Sequence, residues 1–281
     1  MNVVVATIVH GRSRHLARQH EGLLRSTRAP DLHVVVAMDD PDLEKSLDPV
    51  PYARQIVHVA RQGQHLPLAR ARNVGAQTAL AAGAETMVFL DVDCIPSTGL
   101  LTAYEAAALH PTTSRDLLCG PVTYLPPPPP DGYDLMTLRS LGTPHAARPL
   151  PAPGTVERTR EGYELFWSLS FALTGQTWFD IGGFDEAYVG YGGEDTDFAR
   201  RAEAAGTVLA WVRDADAFHQ FHPVSAPPIE HVDDIVRNAA QFHRRWGDWP
   251  MEGWLSAFEE RGLVRRRPDG SYEATGGAAQ H

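Results

Sequence analysis

Short unbroken apolar runs and helical spacings alternate through the first half of the chain. Residues 2–9 and 33–38 are continuous apolar stretches of the type buried on both faces, and 55–60 and 86–90 read as a third and a fourth strand. Between the first two, Leu16, Leu23 and Leu24 recur at helical spacing. Residues 68–82 read as an alanine-rich helix stopped at Gly83, and another helix is expected over 98–109. Strands alternating with helices predict an α/β fold around a mostly parallel sheet, because parallel neighbours need a crossover between them. A short strand is expected at 117–122, and the last strand at 208–212.

The pattern breaks at Pro126–Pro130, five consecutive prolines that can enter neither a helix interior nor a sheet interior. Residues 131–162 are rich in Pro, Gly and Arg and lack periodicity, as functional or mobile excursions do. Order resumes at 164–174, and a short helix follows over 176–181. Helices are also expected at 232–246 and 254–262, with Ile235, Val236, Ala239, Phe242 and Trp246 on one face of the first, and the aromatics of both read as core. The implied division is 1–125, 126–163, 164–224, 225–264 as a C-terminal helical extension, and a disordered tail over 265–281.

Composition narrows the function. Across 281 residues, 35 acids against 25 Lys plus Arg give a net charge of −10, and the only basic cluster is Arg265–Arg267, which argues against a nucleic-acid partner. Two cysteines cannot build a disulfide framework, and the first residues enter a strand without a leader pattern, so a cytoplasmic location is expected. No apolar run reaches the roughly 20 residues of a membrane span, which leaves only peripheral membrane contact open.

Three stretches carry candidate chemistry. The fourth strand ends in Asp91-Val92-Asp93, and ligands of open α/β sheets gather at strand carboxyl ends; alternation places both carboxylates on one side, able to converge on a hard cation. His219 and His222 stand at another strand end, where paired imidazoles can chelate. Residues 181–201 join two glycine pairs to three aromatics, and Glu194, Asp195 and Asp197 then crowd the first turn of a helix. Read blandly, these are a solvated turn, structural histidines and an acid-capped surface helix. Their placement at strand and helix ends favours one shared divalent site.

Together with Thr7-Ile8-Val9-His10-Gly11-Arg12, His15-Leu16, Arg72-Asn73-Val74-Gly75 and Gly182-Gly183-Phe184-Asp185-Glu186, these motifs resemble, in order and spacing over about residues 3–222, the GT-A glycosyltransferases. Within them the chain is similar to bacterial family 2 enzymes with a β-1,4-galactosyltransferase-like C-terminal half. The resemblance implies a Rossmann-like, mostly parallel central sheet flanked by helices. It also implies a UDP-sugar donor, Mn2+ or Mg2+ as cofactor, and a carbohydrate or glycoconjugate acceptor. By that resemblance Thr7, His10, Arg12, Asp39, Arg72, Asp91 and Val92 surround the nucleotide, and Asp93, His219 and His222 hold the metal. Tyr191, Gly192, Gly193 and Glu194 face the acceptor, and Asp195 is the general base of an inverting transfer. The chain departs from the vertebrate galactosyltransferases by carrying His219 where they place a methionine, a harder ligand for the ion. Galactose or N-acetylgalactosamine is the expected donor sugar, with glucose open. The competing readings are a nucleotidyltransferase, of which the His10–Arg14 stretch is a poor signature, and an inactive carbohydrate-binding relative.

Overall fold

The computed structural model describes residues 2–276. The elements in chain order are β1 (Val3–Val9), α1 (Ser13–Leu24), β2 (Leu32–Met38), β3 (Ala53–Val59), α2 (Leu68–Ala81), β4 (Thr86–Leu90), β5 (Cys94–Pro96), α3 (Leu100–Leu109), β6 (Leu117–Cys119), β7 (Val122–Tyr124), β8 (Val156–Thr159), β9 (Ser170–Thr174), α4 (Gly175–Ile181), α5 (Glu194–Ala204), β10 (Leu209–Val212), β11 (Ala217–His219), α6 (Val232–Trp246), α7 (Glu252–Glu260), β12 (Val264–Arg266) and β13 (Tyr272–Ala274).

The central sheet runs β3-β2-β1-β4-β9-β6-β10-β8. Strands β1 to β4 pair in parallel, β9 lies antiparallel between β4 and β6, and β10 pairs in parallel with β6, so six of the eight strands point the same way. Alternation along β1 explains its unbroken apolar text: Val4, Ala6 and Ile8 enter the core on one face, and Val3 and Val5 enter the core on the other. This is the expected α/β architecture.

Several expectations need correction. The strand expected at 117–122 is two strands in different sheets, split at Gly120-Pro121. A Cβ on Gly120 would sit 2.0 Å from the carbonyl oxygen of Ala215, so only glycine permits the close approach that redirects the chain. β9 breaks the parallel rule because it follows the 126–163 excursion rather than a crossover helix. Within that excursion β8 escapes notice because it is an edge strand with mostly exposed residues, and therefore lacks an apolar pattern. Nor is 208–212 the last strand. β11 follows it, and β12 and β13 form a hairpin inside the stretch expected to be disordered, with Val264 buried beside Leu255 and Phe258. Residues 277–281 of that tail lie outside the described residues.

A second sheet, β5-β11-β7, stands beyond the carboxyl ends of the first, because only three residues separate β5 from the end of β4. Helices α6 and α7 and the β12–β13 hairpin share a small core of their own. No helix of the described residues is long and apolar enough to cross a membrane.

Candidate active site

Strand register brings the first cluster together. β11 pairs antiparallel with β5 so that His219 lies opposite Cys94, and the Gln220 N–H donates to the Asp93 carbonyl at 2.7 Å. Asp93 Oδ2 consequently lies 3.1 Å from His222 Nε2 and 3.6 Å from His219 Nε2, and it also accepts from Arg12. The ligand atoms of Asp93, His219 and His222 all lie within 4.8 Å of one another, and among the described residues this is the single group of three or more such side chains. Burial, the largest influence on Asp93, works to raise its pKa, but the His222 hydrogen bond and the Arg12 charge prevail and hold it low. Burial pushes His219 down to about 4, keeping its imidazole neutral. An ionised carboxylate, a neutral imidazole beside it and a buried Asp93 Oδ1 with no hydrogen-bond partner form a donor set suited to a divalent cation.

The turn carrying these acids is pinned from one face of α1. Gln19, fully buried, donates through Nε2 to the carbonyls of Asp91 at 2.8 Å and Cys94 at 3.1 Å, while its Oε1 accepts from Thr7 at 2.9 Å. Since the Thr7 hydroxyl gives its proton to Gln19, its oxygen is free to accept from His33 Nε2, 3.0 Å away. Thr7, expected beside the nucleotide, is 0% exposed and does not reach the cleft. Its short, fully engaged side chain braces the strand end instead.

Arg72 anchors a second cluster. Expected to reach ribose or phosphate, it is 4% exposed. Its guanidinium spans Glu194 Oε1 at 3.0 Å and Asp91 Oδ1 at 3.3 Å and lies 5.4 Å over the ring of Phe184. One cation thus serves three carboxylates, Asp91, Glu194 and Asp195. Burial raises the pKa of all three against this pull, and it takes Glu194, repelled also by Asp195, up to about 7. Glu194 Oε2 is buried without a partner. Asp195 is half-buried, its Oδ1 held by the Thr196 N–H at 2.8 Å. A carboxyl whose folded pKa exceeds its unfolded value binds protons preferentially in the folded state, so its stabilising share is present at low pH and is lost as pH rises from about 4.5 to about 7. The buried histidines titrate with the opposite sign, so the test is a comparison. Relative to Glu194→Gln, the wild type is expected to lose thermal stability over that window, and parallel Tm profiles would contradict the assignment.

A cleft of about 1090 Å3 is lined by Asp93 of the first cluster, with His219 and His222 behind it and not among the lining residues, and by Arg72, Asp91, Glu194 and Asp195 of the second. At one end it is lined by His10, Arg12, Val92, Asp91 and Asp93, and the loop of Tyr191, Gly192, Gly193, Glu194 and Asp195 forms another wall. His10 Nδ1 donates to the Met38 carbonyl at 2.7 Å, and its Nε2 lies 3.0 Å from Arg61 Nη2. Asp39 is not among the lining residues; it takes a left-handed φ of 46° and holds Arg61, which does line the cleft, at 2.5 Å. The structure therefore gathers His10, Arg12, Asp91, Val92 and Asp93 around one end, and leaves Asp39 and Thr7 behind other side chains.

The glycine loop is gripped by α6. Asn238 Nδ2 donates to the carbonyls of Val189, Tyr191 and Gly192, and Asp234 accepts from the Tyr191 N–H at 3.1 Å and from His65 at 2.8 Å. Gly192 and Gly193 have φ of +87° and +89°, a left-handed conformation other residues adopt only with strain. Tyr191 stacks on His231 with centroids 4.4 Å apart and lies 6.1 Å from Trp254. Sequence reading missed His65, Trp167, His231, Asp234, Trp249 and Trp254, all of which line the cleft. A tryptophan on an amphipathic helix looks like core in sequence, and only the fold of α6 and α7 over the sheet turns Trp254 toward the cleft.

Comparison with known proteins bears on the fold. A protein-family profile described as the N-terminal domain of galactosyltransferase matches residues 156–223. The validoxylamine A glucosyltransferase of Streptomyces hygroscopicus subsp. limoneus is 27% identical over 265 residues, covering 87% of this chain and 56% of the relative. That of S. hygroscopicus subsp. jinggangensis (strain 5008) is 26% identical, covering 87% and 60%. This chain thus spans little more than half the length of these relatives. Among solved structures, GalNAc-T7 with UDP, GalNAc and Mn2+ superposes with a TM-score of 0.58 at 14% identity, covering 94% of this chain and 57% of that one. S. aureus TarS 1–349 superposes at 0.53 and 14% identity, covering 86% and 66%. The fold shared with these structures is the GT-A glycosyltransferase fold.

Proposed function

We infer, from the premise that this chain is a glycosyltransferase of the GT-A fold, that it moves a hexose from a UDP-sugar to a hydroxyl of a carbohydrate or glycoconjugate, with inversion and with a divalent cation. The observation that carries the reading is a half-buried carboxylate, Asp195, at the start of α5, lining the same cleft as Asp93, whose Oδ2 lies beside His219 and His222. Asp93, His219 and His222 would hold Mn2+ or Mg2+, and the bound ion would offset the charge that grows on the departing diphosphate. His10, Arg12, Asp91 and Val92 line the end of the cleft assigned to the nucleotide. Tyr191 offers a flat face to an acceptor ring, Gly192 and Gly193 let the backbone approach it, and Glu194 presents an unsatisfied oxygen to its hydroxyls. Asp195, its pKa raised by burial, removes the proton of the attacking hydroxyl.

The named relatives support a hexose as the transferred group. Two are glucosyltransferases by name, and one structure was solved with UDP, GalNAc and Mn2+, which leaves glucose beside galactose and N-acetylgalactosamine. The deciding experiment is calorimetry with UDP. Binding is expected with Mn2+ and is expected to vanish with excess chelator; equal affinity in the two conditions would refute the proposed metal role.

A further inference from the structure

The cleft continues well past Asp195. Thr196, Arg200 and Glu203 of α5 also line it, at spacings of four and three that share one helix face, so the lined surface runs roughly 12 Å beyond Asp195 at 1.5 Å rise per residue. Its volume of about 1090 Å3 exceeds the roughly 300–1,000 Å3 typical of sites for one drug-sized ligand.

The facing wall is the turn between α6 and α7. Trp249 is half-buried and lines the cleft, with His243 parallel to it at 4.2 Å and Tyr272 at a right angle to it at 5.0 Å. Trp254 continues the stack of His231 and Tyr191. A polar rim surrounds these rings. Arg200 reaches from α5 to Asp248 at 2.8 Å and to Glu203 at 3.5 Å, and all three side chains keep between 36% and 57% of their surface exposed. Aromatic faces held rigid, with carboxylates and a guanidinium at their edges, match a ring that has an apolar C–H face and equatorial hydroxyls. A phosphate or nucleotide is disfavoured there by Glu203, Asp248 and Glu252.

We propose that this outer half of the cleft is a subsite for a second sugar ring of the acceptor, which makes the acceptor a glycoside or oligosaccharide of at least two rings. Trp249 supplies its stacking platform and Glu203 with Asp248 its hydroxyl partners. The assignment rests on the glycosyltransferase reading above, with the first acceptor ring on Tyr191.

The test is calorimetric titration of the full chain, loaded with UDP and Mn2+, with chitobiose, cellobiose and lactose and with their one-ring halves N-acetylglucosamine, glucose and galactose. At least one two-ring probe is expected to bind about tenfold tighter than either of its halves. Trp249→Ala is expected to erase that gain while leaving one-ring affinity and UDP affinity unchanged. Glu203→Gln, on an exposed helix face, is expected to reduce it without touching the β12–β13 hairpin. Two-ring probes that bind no tighter than their halves, or a gain that survives both substitutions, overturn the subsite. Metal-dependent UDP binding, measured first in the same instrument, separates that outcome from a failure of the glycosyltransferase reading.

Discussion

Asp195→Asn is expected to lower sugar transfer by about a hundredfold to ten-thousandfold while UDP and metal binding persist. The change keeps the side chain's size and its Oδ1 acceptor for the Thr196 N–H, so the first turn of α5 stays in place. What it removes is proton affinity at a carboxylate that lines the same cleft as Asp93. Glu194 is the rival base, one residue away and with a pKa near that of a working base, at about 7. Its Oε1, however, is taken by Arg72, and it is 5% exposed, so it is better placed to receive a hydroxyl's hydrogen bond than to release a proton to water. Glu194→Gln should therefore raise the acceptor KM more than it lowers kcat, the reverse of Asp195→Asn. Near-normal turnover in Asp195→Asn, or a product with the donor's anomeric configuration retained, would remove Asp195 from the role.

What the sequence reveals of this arrangement follows from the range of the interactions. Buried parallel strands announce themselves as apolar runs, so β1, β2 and β4 and the strand-end position of Asp91 and Asp93 are legible from local text. β8 and β9 are harder to read: whether a strand is an edge, or runs antiparallel, is decided by its neighbours in space. The meeting of Asp93 with His219 and His222 depends on the β11–β5 register across more than a hundred residues of sequence, and beforehand it rested on their strand-end positions and a family resemblance. The same limit explains Thr7 and Arg72. Their hydrogen-bonding partners His33, Gln19, Asp91 and Glu194 come from distant stretches, and Arg72 lines the cleft while Thr7 does not. Trp254 shows the opposite failure: helical periodicity identifies an apolar face without saying whether that face meets a core or a cleft.

Arg72→Met is expected to destabilise the protein by about 3–5 kcal/mol, the range for removing one partner of a buried ion pair. For a chain of this size that corresponds to a fall in Tm of roughly 10 °C. Methionine fills much of the same volume against Phe184, so the loss is electrostatic: Glu194 and Asp91 are left facing each other and Asp195 without a cation. Arg72→Lys should rescue only part of the loss, because an ammonium cannot span Glu194 Oε1 and Asp91 Oδ1 as the two nitrogens of the planar guanidinium do. Adding Glu194→Gln to Arg72→Met should recover much of the Tm by removing one of the unpaired charges, a non-additivity that a double-mutant cycle would register. If Arg72 instead bound the nucleotide, Arg72→Met would weaken UDP binding with Tm unchanged. That pattern would return Arg72 to the donor site and leave the stability of the three carboxylates without its present explanation.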